Sequence, residues 1–435
     1  MPRFTEGLES MRDFYRLAFL PDGYPGRVMD DGRVKPHPIY GVYVIEDYLK
    51  QYRHRPSAEL ASAISTVAHA ALRRMEEHRG ALAFYYDEGW DLARLYERHY
   101  SGLTQAYYAV ELHRAGEALQ DPRLVEGAAR VFDSLLIPVE AGGVLHRTSR
   151  GPVIAEVPQQ PNSWILNGWQ SALASVQEYA DLSGSEKAQR LLRDSARTMA
   201  KVLPLYDAKR LANSRYGLTG FVYLRLRTDA TPTRILSARI EVPGEGAFPV
   251  PPRSGSRWQN YLFKEDLQPD GVTLLGPSVQ MNVVLSRASR PERNLLRFTL
   301  DAPEPVTVVV EAYVGRYDPL KSSPIDPRWT EVAKLTARPR ASAAVRLPAS
   351  LVDRVAYPTN FAKEIDGENT NVYHAIHVRR LRELADSTGL DEFDEWADRW
   401  EGYICRWASM DIYAGLSVRG TSRVGTQDPQ IYCRP

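Results

Sequence analysis

Apolar positions along the first half of the chain recur with the period of a helix. Residues 37–52, "HPIYGVYVIEDYLKQY", carry such a face, and the pattern stops before Pro56. Ser57 is placed to cap the next helix. In it Leu60, Ile64, Val67, Ala71 and Met75 fall on one side, and Gly80 can close it. Residues 101–119 repeat the pattern. Asp121 and Pro122 then open a helix whose Leu124, Ala128, Val131 and Leu135 share a face. Two more helices are predicted near 163–182 and over 185–203. Helices of this length, joined by short loops, build a bundle or an incomplete (α/α) toroid, in which the loops at one mouth converge on a cleft. Residues 1–45 read as an irregular lead-in rich in Gly, Pro and Asp.

The period changes after "SRYGLTG" (214–220). "FVYLRLR", "RILSARIEV", "VQMNVVLSR", "NLLRFTLDA" and "VTVVVEAYVGR" are short β-branched runs with turn residues between them. They predict an all-β, sandwich-like module over 221–350. Helical spacing returns at "NTNVYHAIHVRRLRELADSTG". Asn369 or Thr370 can cap that helix, and Val372, Ile376 and Leu381 lie on one side of it. "DEFDEWADRWEGYICRWASM" predicts a last helix. The expected fold is α+β and multidomain: a toroid-type helical domain begun by 1–220 and completed by 351–435, with the β-module inserted between.

Composition narrows the function classes. A chain of 435 residues suits two or three domains, and 43% hydrophobic with 25% charged residues is ordinary for a globular protein. The formal net charge of +1 supplies no overall field for nucleic acid. No run of 18 apolar residues occurs, so no membrane span is expected. The N-terminal stretch lacks an apolar signal-peptide core, so a cytoplasmic location is expected, although a trimmed leader would give the same sequence. Cys405 and Cys433 fit neither a metal spacing nor a disulfide framework, and a reducing compartment is the simplest inference. No Gly-rich phosphate loop, zinc spacing or nucleophile elbow is present, so neither cofactor nor metal is expected. The 24 Tyr and 8 Trp read first as packing residues, and some as platforms for sugar rings.

Three local features carry candidate chemistry. The first is "AEVPQQPNSWILNGWQSAL" (155–173). Its lone acid, Glu156, reads by default as a solvated charge or a helix-dipole partner. Behind it come Trp164, Asn167, Gly168 and Trp169. A helical Gly costs about 1 kcal/mol against Ala, so something has to approach the backbone at Gly168. The second is "SRYGL", where Tyr216 follows Arg215. Such a phenol is usually a packing residue, and serves as acid or base if a nearby cation lowers its pKa. The third is "YHAIHVRR". Tyr373 and His377 share a helix face, His374 lies beside them, and Arg379 and Arg380 follow. Two His at i, i+3 without a third ligand argue weakly for metal. A Tyr/His/Arg surface holds a carboxylate equally well, or is a basic face in water.

Four blocks in order resemble the D-glucuronyl C5-epimerase family, whose enzymes convert glucuronate to iduronate within heparan-type chains. They are "YSGLTQAYYAVELHRA", "PQQPNSWILNG", "LPLYDAKRLANSRYGLTG" and "YHAIHVRRL". The resemblance covers about residues 37–220 and 370–410. It implies an (α/α) toroid with the active site in its cleft and a uronate-containing glycan, heparosan-like, as substrate. It implies no cofactor and no metal, and a homodimer is the candidate assembly. Carried over by position, Glu156, Tyr216 and Tyr373 are the catalytic candidates. His374, His377, Arg215, Asn167, Trp164 and Trp169 are the substrate-binding candidates. Moving a proton off C5 on one face and onto it on the other needs two flanking groups, and Glu156 with Tyr373 is the expected pair. Three positions depart from the family pattern. Val157 stands where the family keeps a Tyr, and Gly217 and Thr219 stand where it keeps Asp and Arg. The family's β-structure also precedes its helices. The competing readings are a uronate polysaccharide lyase and a glycan-binding relative without catalysis.

Overall fold

The helices form where caps and apolar spacing coincide. Ser57 accepts a hydrogen bond from the Leu60 N–H at 3.1 Å, and α3 (Ala58–Arg74) buries Ile64, Val67, Ala68 and Ala71. Ser101 caps α4 (Gly102–Leu119), and Asp121 caps α5 (Pro122–Ser134), whose Pro122 needs no intrahelical partner for its missing N–H. In the computed structural model, residues 2–88, 97–159, 162–228, 233–243, 246–250, 261–262, 267–268, 271–274, 279–288, 293–318, 324–348, 350–351, 363–365 and 368–413 are described.

The protein mixes helix and sheet and divides into two units. The first comprises Met1–Pro158, Asn167–Lys201 and Arg382–Asp391. The second comprises Gln159–Leu166, Val202–Leu381 and Glu392–Pro435.

The first unit is built from α1 (Glu6–Tyr15), α2 (Pro38–His54), α3, α4, α5, α6 (Leu166–Ser183) and most of α7 (Glu186–Tyr206). They pair as hairpins. α2 packs on α3, and α4 packs on both α5 and α2. α6 meets α4 where Arg114 bonds Glu178 and His113 meets Tyr179 edge-on at 5.9 Å. It meets α7 where the Trp169 indole N–H bonds Ser195 Oγ at 2.9 Å. α4 is buried on nearly all sides, whereas α5 buries Leu124, Ala128 and Val131 on one face and leaves the other to solvent. α5 is thus the solvent-facing helix of this hairpin.

The sequence reading errs at two points in this unit. The lead-in is ordered: α1 is followed by an antiparallel sheet of Leu17–Phe19, Pro25–Val28 and Val34–Pro36. Strands of three or four residues are too short to show an alternation. α3 stops at Arg74, because Met75 is already extended. Gly80, at φ +83°, instead turns a hairpin of Glu76–His78 and Ala81–Ala83.

In the second unit, two antiparallel sheets hold most strands. One runs in the order Tyr261–Leu262, Val279–Ser286, Thr219–Arg227, Val306–Tyr313, Trp329–Ala337. The other joins Leu267–Gln268, Gly271–Leu274, Thr233–Val242, Leu295–Asp301 and Ala341–Arg346, with Gly246–Pro249 paired to Thr233–Val242. Alternate residues of both sheets, such as Val222, Leu224 and Leu226 of one and Ile240, Leu296 and Phe298 of the other, join a single hydrophobic cluster. α8 (Val372–Thr388) begins in this unit and α9 (Asp391–Ile404) lies almost wholly in it. Asn371 caps α8, its Oδ1 accepting the His374 N–H at 3.0 Å, so the cap falls one residue beyond the expected Asn369 or Thr370. Cys405, just past α9, is disulfide-bonded, against the expectation of no disulfide. Cys433 lies outside the described residues.

Candidate functional site

In the first unit the hairpin Leu145–Thr148/Gly151–Ile154 delivers Glu156. Directly after it, the Ala155 carbonyl accepts the Gly102 N–H at 3.2 Å, which ties the strand end to the start of α4. Gly102 permits this approach, since a Cβ there would stand 2.4 Å from the Ala155 oxygen. Glu156 is 9% exposed, and Val157 beside it is core. The solvated-charge reading of Glu156 is therefore wrong.

Gly168 has the same kind of explanation. A Cβ on it would lie 2.0 Å from Glu156 Oε2 and 2.6 Å from the Glu156 Cβ. The carboxyl group itself is what approaches the first turn of α6. Its Oε2 is buried and has no hydrogen-bond partner, and no cation pairs with the group among the described residues. Desolvation alone pushes Glu156 up to about 7. Glu111, the other strongly buried acid of this unit, is also pushed to about 7, but Arg114 holds it at 2.7 Å. Glu156 has no such counter-ion. A buried acid of this kind exchanges protons near neutral pH and makes no structural bond that would explain its burial.

Asn167 and Trp169 belong to this unit as well. Asn167, next to Gly168, is half-buried and its Oδ1 has no partner, so it fits a polar contact for a ligand. Trp169 is fully buried and bonded to Ser195, and so serves the α6–α7 packing rather than a cleft wall. Sequence reasoning missed the phenols in reach of the Glu156 charge. Tyr43 on α2 and Tyr86 are both raised well above the usual phenol range by burial, and the Glu156 carboxylate raises them further. Tyr86 is fully buried and shares a hydrogen bond of 2.8 Å with Thr104. Tyr43 is half-buried, so part of its surface stays accessible, and its ring lies 6.5 Å from that of Tyr107. No local motif marks Tyr43. Its spacing in α2 reads as core.

The second unit holds the other candidates. The rings of Tyr216 and Tyr373 meet edge-on, 4.7 Å apart, so these two sequence candidates are brought together. Tyr373 is exposed and Tyr216 half-buried. Residues 163–166 bracket Tyr216. The Leu166 N–H bonds the Tyr216 carbonyl at 2.8 Å, and the Leu218 N–H bonds the Ser163 carbonyl at 2.9 Å. Gly217 allows this pairing, because a Cβ would stand 2.6 Å from the Ser163 oxygen. Arg215 precedes Tyr216, half-buried, with its N–H on the Tyr206 carbonyl at 2.8 Å.

Three binding candidates of this unit are corrected. His374 and His377 are fully buried. The Ser214 N–H donates to His374 Nδ1 at 3.0 Å, so that ring carries its proton on Nε2 and donates it to the Trp400 carbonyl at 2.8 Å. Ser214 Oγ lies 2.7 Å from Nδ1 of both rings. Burial lowers His374 to about 4 and His377 well below its usual range. Both rings are neutral and tie α8 to Ser214, and neither offers a cation to a carboxylate. Trp164 is buried too, at φ +52°, a left-handed backbone rarely taken by a bulky residue. Asn162 Oδ1 accepts its N–H at 2.9 Å and the Tyr206 hydroxyl donates to its carbonyl at 2.7 Å. These bonds hold the turn that aims residues 163–166 at Tyr216. Trp164 is structural.

Among the described residues no group of three or more His, Cys, Asp or Glu side chains is arranged to hold a metal ion, and no helix is long and apolar enough to cross a membrane.

Residues 80–230 match the sequence model of the family described as D-glucuronyl C5-epimerase C-terminus, which bears out the resemblance read from the chain. The match takes in Glu156, Gly168 and Tyr216, whereas Tyr373 lies beyond it. No curated protein sequence matches significantly. Similar solved structures include an endoglucanase from Komagataeibacter sucrofermentans, at 13% identity over 46% of this chain and 57% of that one, with a TM-score of 0.32. An endo-beta-1,4-glucanase from Acetobacter xylinum matches at 11% over 48% and 60%, TM-score 0.33. A cellobiose 2-epimerase from Bacillus thermoamylovorans matches at 11% over 47% and 55%, TM-score 0.32. The chain thus spans little more than half the length of these structures.

Proposed function

We propose that this protein is a carbohydrate epimerase that inverts C5 of a uronic acid residue in a glycan. The observation that carries the reading is Glu156: buried, without a counter-ion, and titrating near 7. In its ionised form Glu156 takes the C5 proton. The electron pair left on C5 delocalises into the adjacent carboxylate as an enolate-like anion, and a proton delivered to the opposite face completes the inversion. A base that titrates near the working pH combines the required ionised fraction with proton affinity. The second proton carrier is a phenol. Tyr373 holds that place in the sequence reading, with Tyr216 against it, and Tyr43 is the accessible phenol in the field of Glu156. Arg215 is the candidate cation for the uronate carboxylate. The same proposal reads the α-hairpins as part of an (α/α) toroid and the two sheets as an inserted sandwich.

Incubation with uronate glycans in deuterated water tests the reaction. Deuterium is expected at C5, with new C5 epimers and no rise in the ultraviolet absorbance of a 4,5-unsaturated product. An absorbance rise identifies a lyase instead. Binding without exchange identifies a relative that has lost catalysis. Tyr43→Phe and Tyr373→Phe separate the two phenols, since the one that returns the proton loses net inversion on substitution.

A further inference from the structure

Away from Glu156, the first unit has a concavity that no role so far explains. It is a groove of about 330 Å³ between α6, α7 and the turn after α8. Leu192, Ala196 and Leu390 contribute its apolar lining, and Arg193, Arg197 and Gln189 its polar lining from α7. The spacing of these α7 residues places them on adjoining rows of one helix face, with the two arginines one turn apart.

The polar lining is rich in unused donors. Arg193 and Arg197 make no ion pair or hydrogen bond among the described residues, and neither does the Gln189 side chain. The acid of the groove, Asp181, does not neutralise them. It accepts from Gln177 Nε2 at 2.7 Å. The hydroxyls of Ser387 and Thr388 already donate to the Leu384 carbonyl, at 3.3 and 2.5 Å. The free donors are therefore two guanidinium groups and one amide, set beside an apolar surface. That combination suits a ring with a C–H face and a carboxylate, since a guanidinium fork binds carboxylate in two-pronged fashion.

We propose that this groove is a glycan-binding site for an acidic sugar, which holds a stretch of polymer apart from the residue undergoing epimerisation. The proposal shares with the functional reading only the premise that the partner is a uronate glycan, and the groove has no lining residue in common with the Glu156 site.

The test is affinity electrophoresis of the full chain, carrying Glu156→Gln so that turnover plays no part, through gels containing heparosan, alginate or polygalacturonate. At least one polymer should retard the protein, and Arg193→Ala/Arg197→Ala should weaken that binding at least fivefold. Arg53→Ala/Arg73→Ala, which removes the same charge from exposed positions elsewhere, should leave it within twofold. Unchanged binding by the groove variant overturns the proposal. So does equal binding of carboxyl-reduced polymer, or no binding to any of the three. Deuterium exchange is read separately: exchange without groove-dependent binding leaves the reaction standing and removes the groove, and the reverse removes the reaction alone.

Discussion

A carboxyl group without a partner is costly to bury, and Glu156 bears that cost in a pH-dependent way. Its folded pKa of about 7 lies above the ordinary 4.5, so the folded state holds the proton more tightly than the unfolded state. The contribution of Glu156 to stability is then least unfavourable at low pH and worsens as pH rises from about 4.5 through about 7. The proposed activity has the opposite sign, because its base must be ionised. Exchange at C5 should rise with pH through about 7 and then level off. Glu156→Gln should lower exchange by 10²-fold or more, and above pH 7 it should raise stability by about 3 kcal/mol, measured by denaturant titration. A variant no more stable than the parent at pH 8 would mean that the carboxylate finds a partner. Gly168→Ala should cost about 1–3 kcal/mol despite the better helix propensity of Ala, because the new Cβ meets the carboxyl oxygen. If propensity ruled instead, the variant would gain about 1 kcal/mol. The close approach at Gly168 was legible in the sequence from the misfit of a glycine in an apolar helix start. What approaches was not, because nothing local distinguishes a buried Glu156 from a solvated one.

At the scale of elements, α8 shows how a chemical-looking motif can serve architecture. "YHAIHVRR" reads as a carboxylate site because His, Tyr and Arg crowd one stretch. The helix turns Tyr373 outward and buries both histidines against Ser214. The expected sharing of one face by Tyr373 and His377 does not hold, because the partner that buries the histidines lies about 160 residues away in sequence. His374→Ala should destabilise the protein by about 2–4 kcal/mol, since it leaves the Ser214 N–H and the Trp400 carbonyl unpaired in the interior. The sign of the pH effect follows from a folded pKa near 4 against an ordinary 6.5. The contribution is complete above about pH 6.5 and is lost as pH falls through about 4. The thermal midpoint of the parent should therefore drop on acidification more steeply than that of His374→Ala. Parallel curves would contradict the neutral, buried assignment. Gly217→Ala should also lower the midpoint, by pressing on the Ser163 carbonyl that brackets Tyr216.

For the whole molecule, most of the longer helices and strands were legible from their periods, and the switch after 214–220 marked the change of class; the ten-residue α1 and the nine-residue strand Trp329–Ala337 were missed. The short strands of the lead-in and the hairpin at 76–83 were not legible, because three residues cannot display a period. Glu156 as a candidate base was legible mainly through resemblance, and Tyr43 not at all, since it reaches the field of Glu156 from a helix more than a hundred residues away. Val157 is core rather than a second proton carrier, so the proposed reaction calls for a phenol from elsewhere in the chain. The decisive measurement is deuterium incorporation at C5 of a uronate glycan, followed from pH 5 to 9 for the parent and for Glu156→Gln. Incorporation by the parent that rises with a midpoint near pH 7, and is reduced at least a hundredfold by the substitution, is the expected result. Incorporation that is absent from the parent, or that survives in Glu156→Gln with the same pH profile, would contradict the assignment of Glu156 as the base.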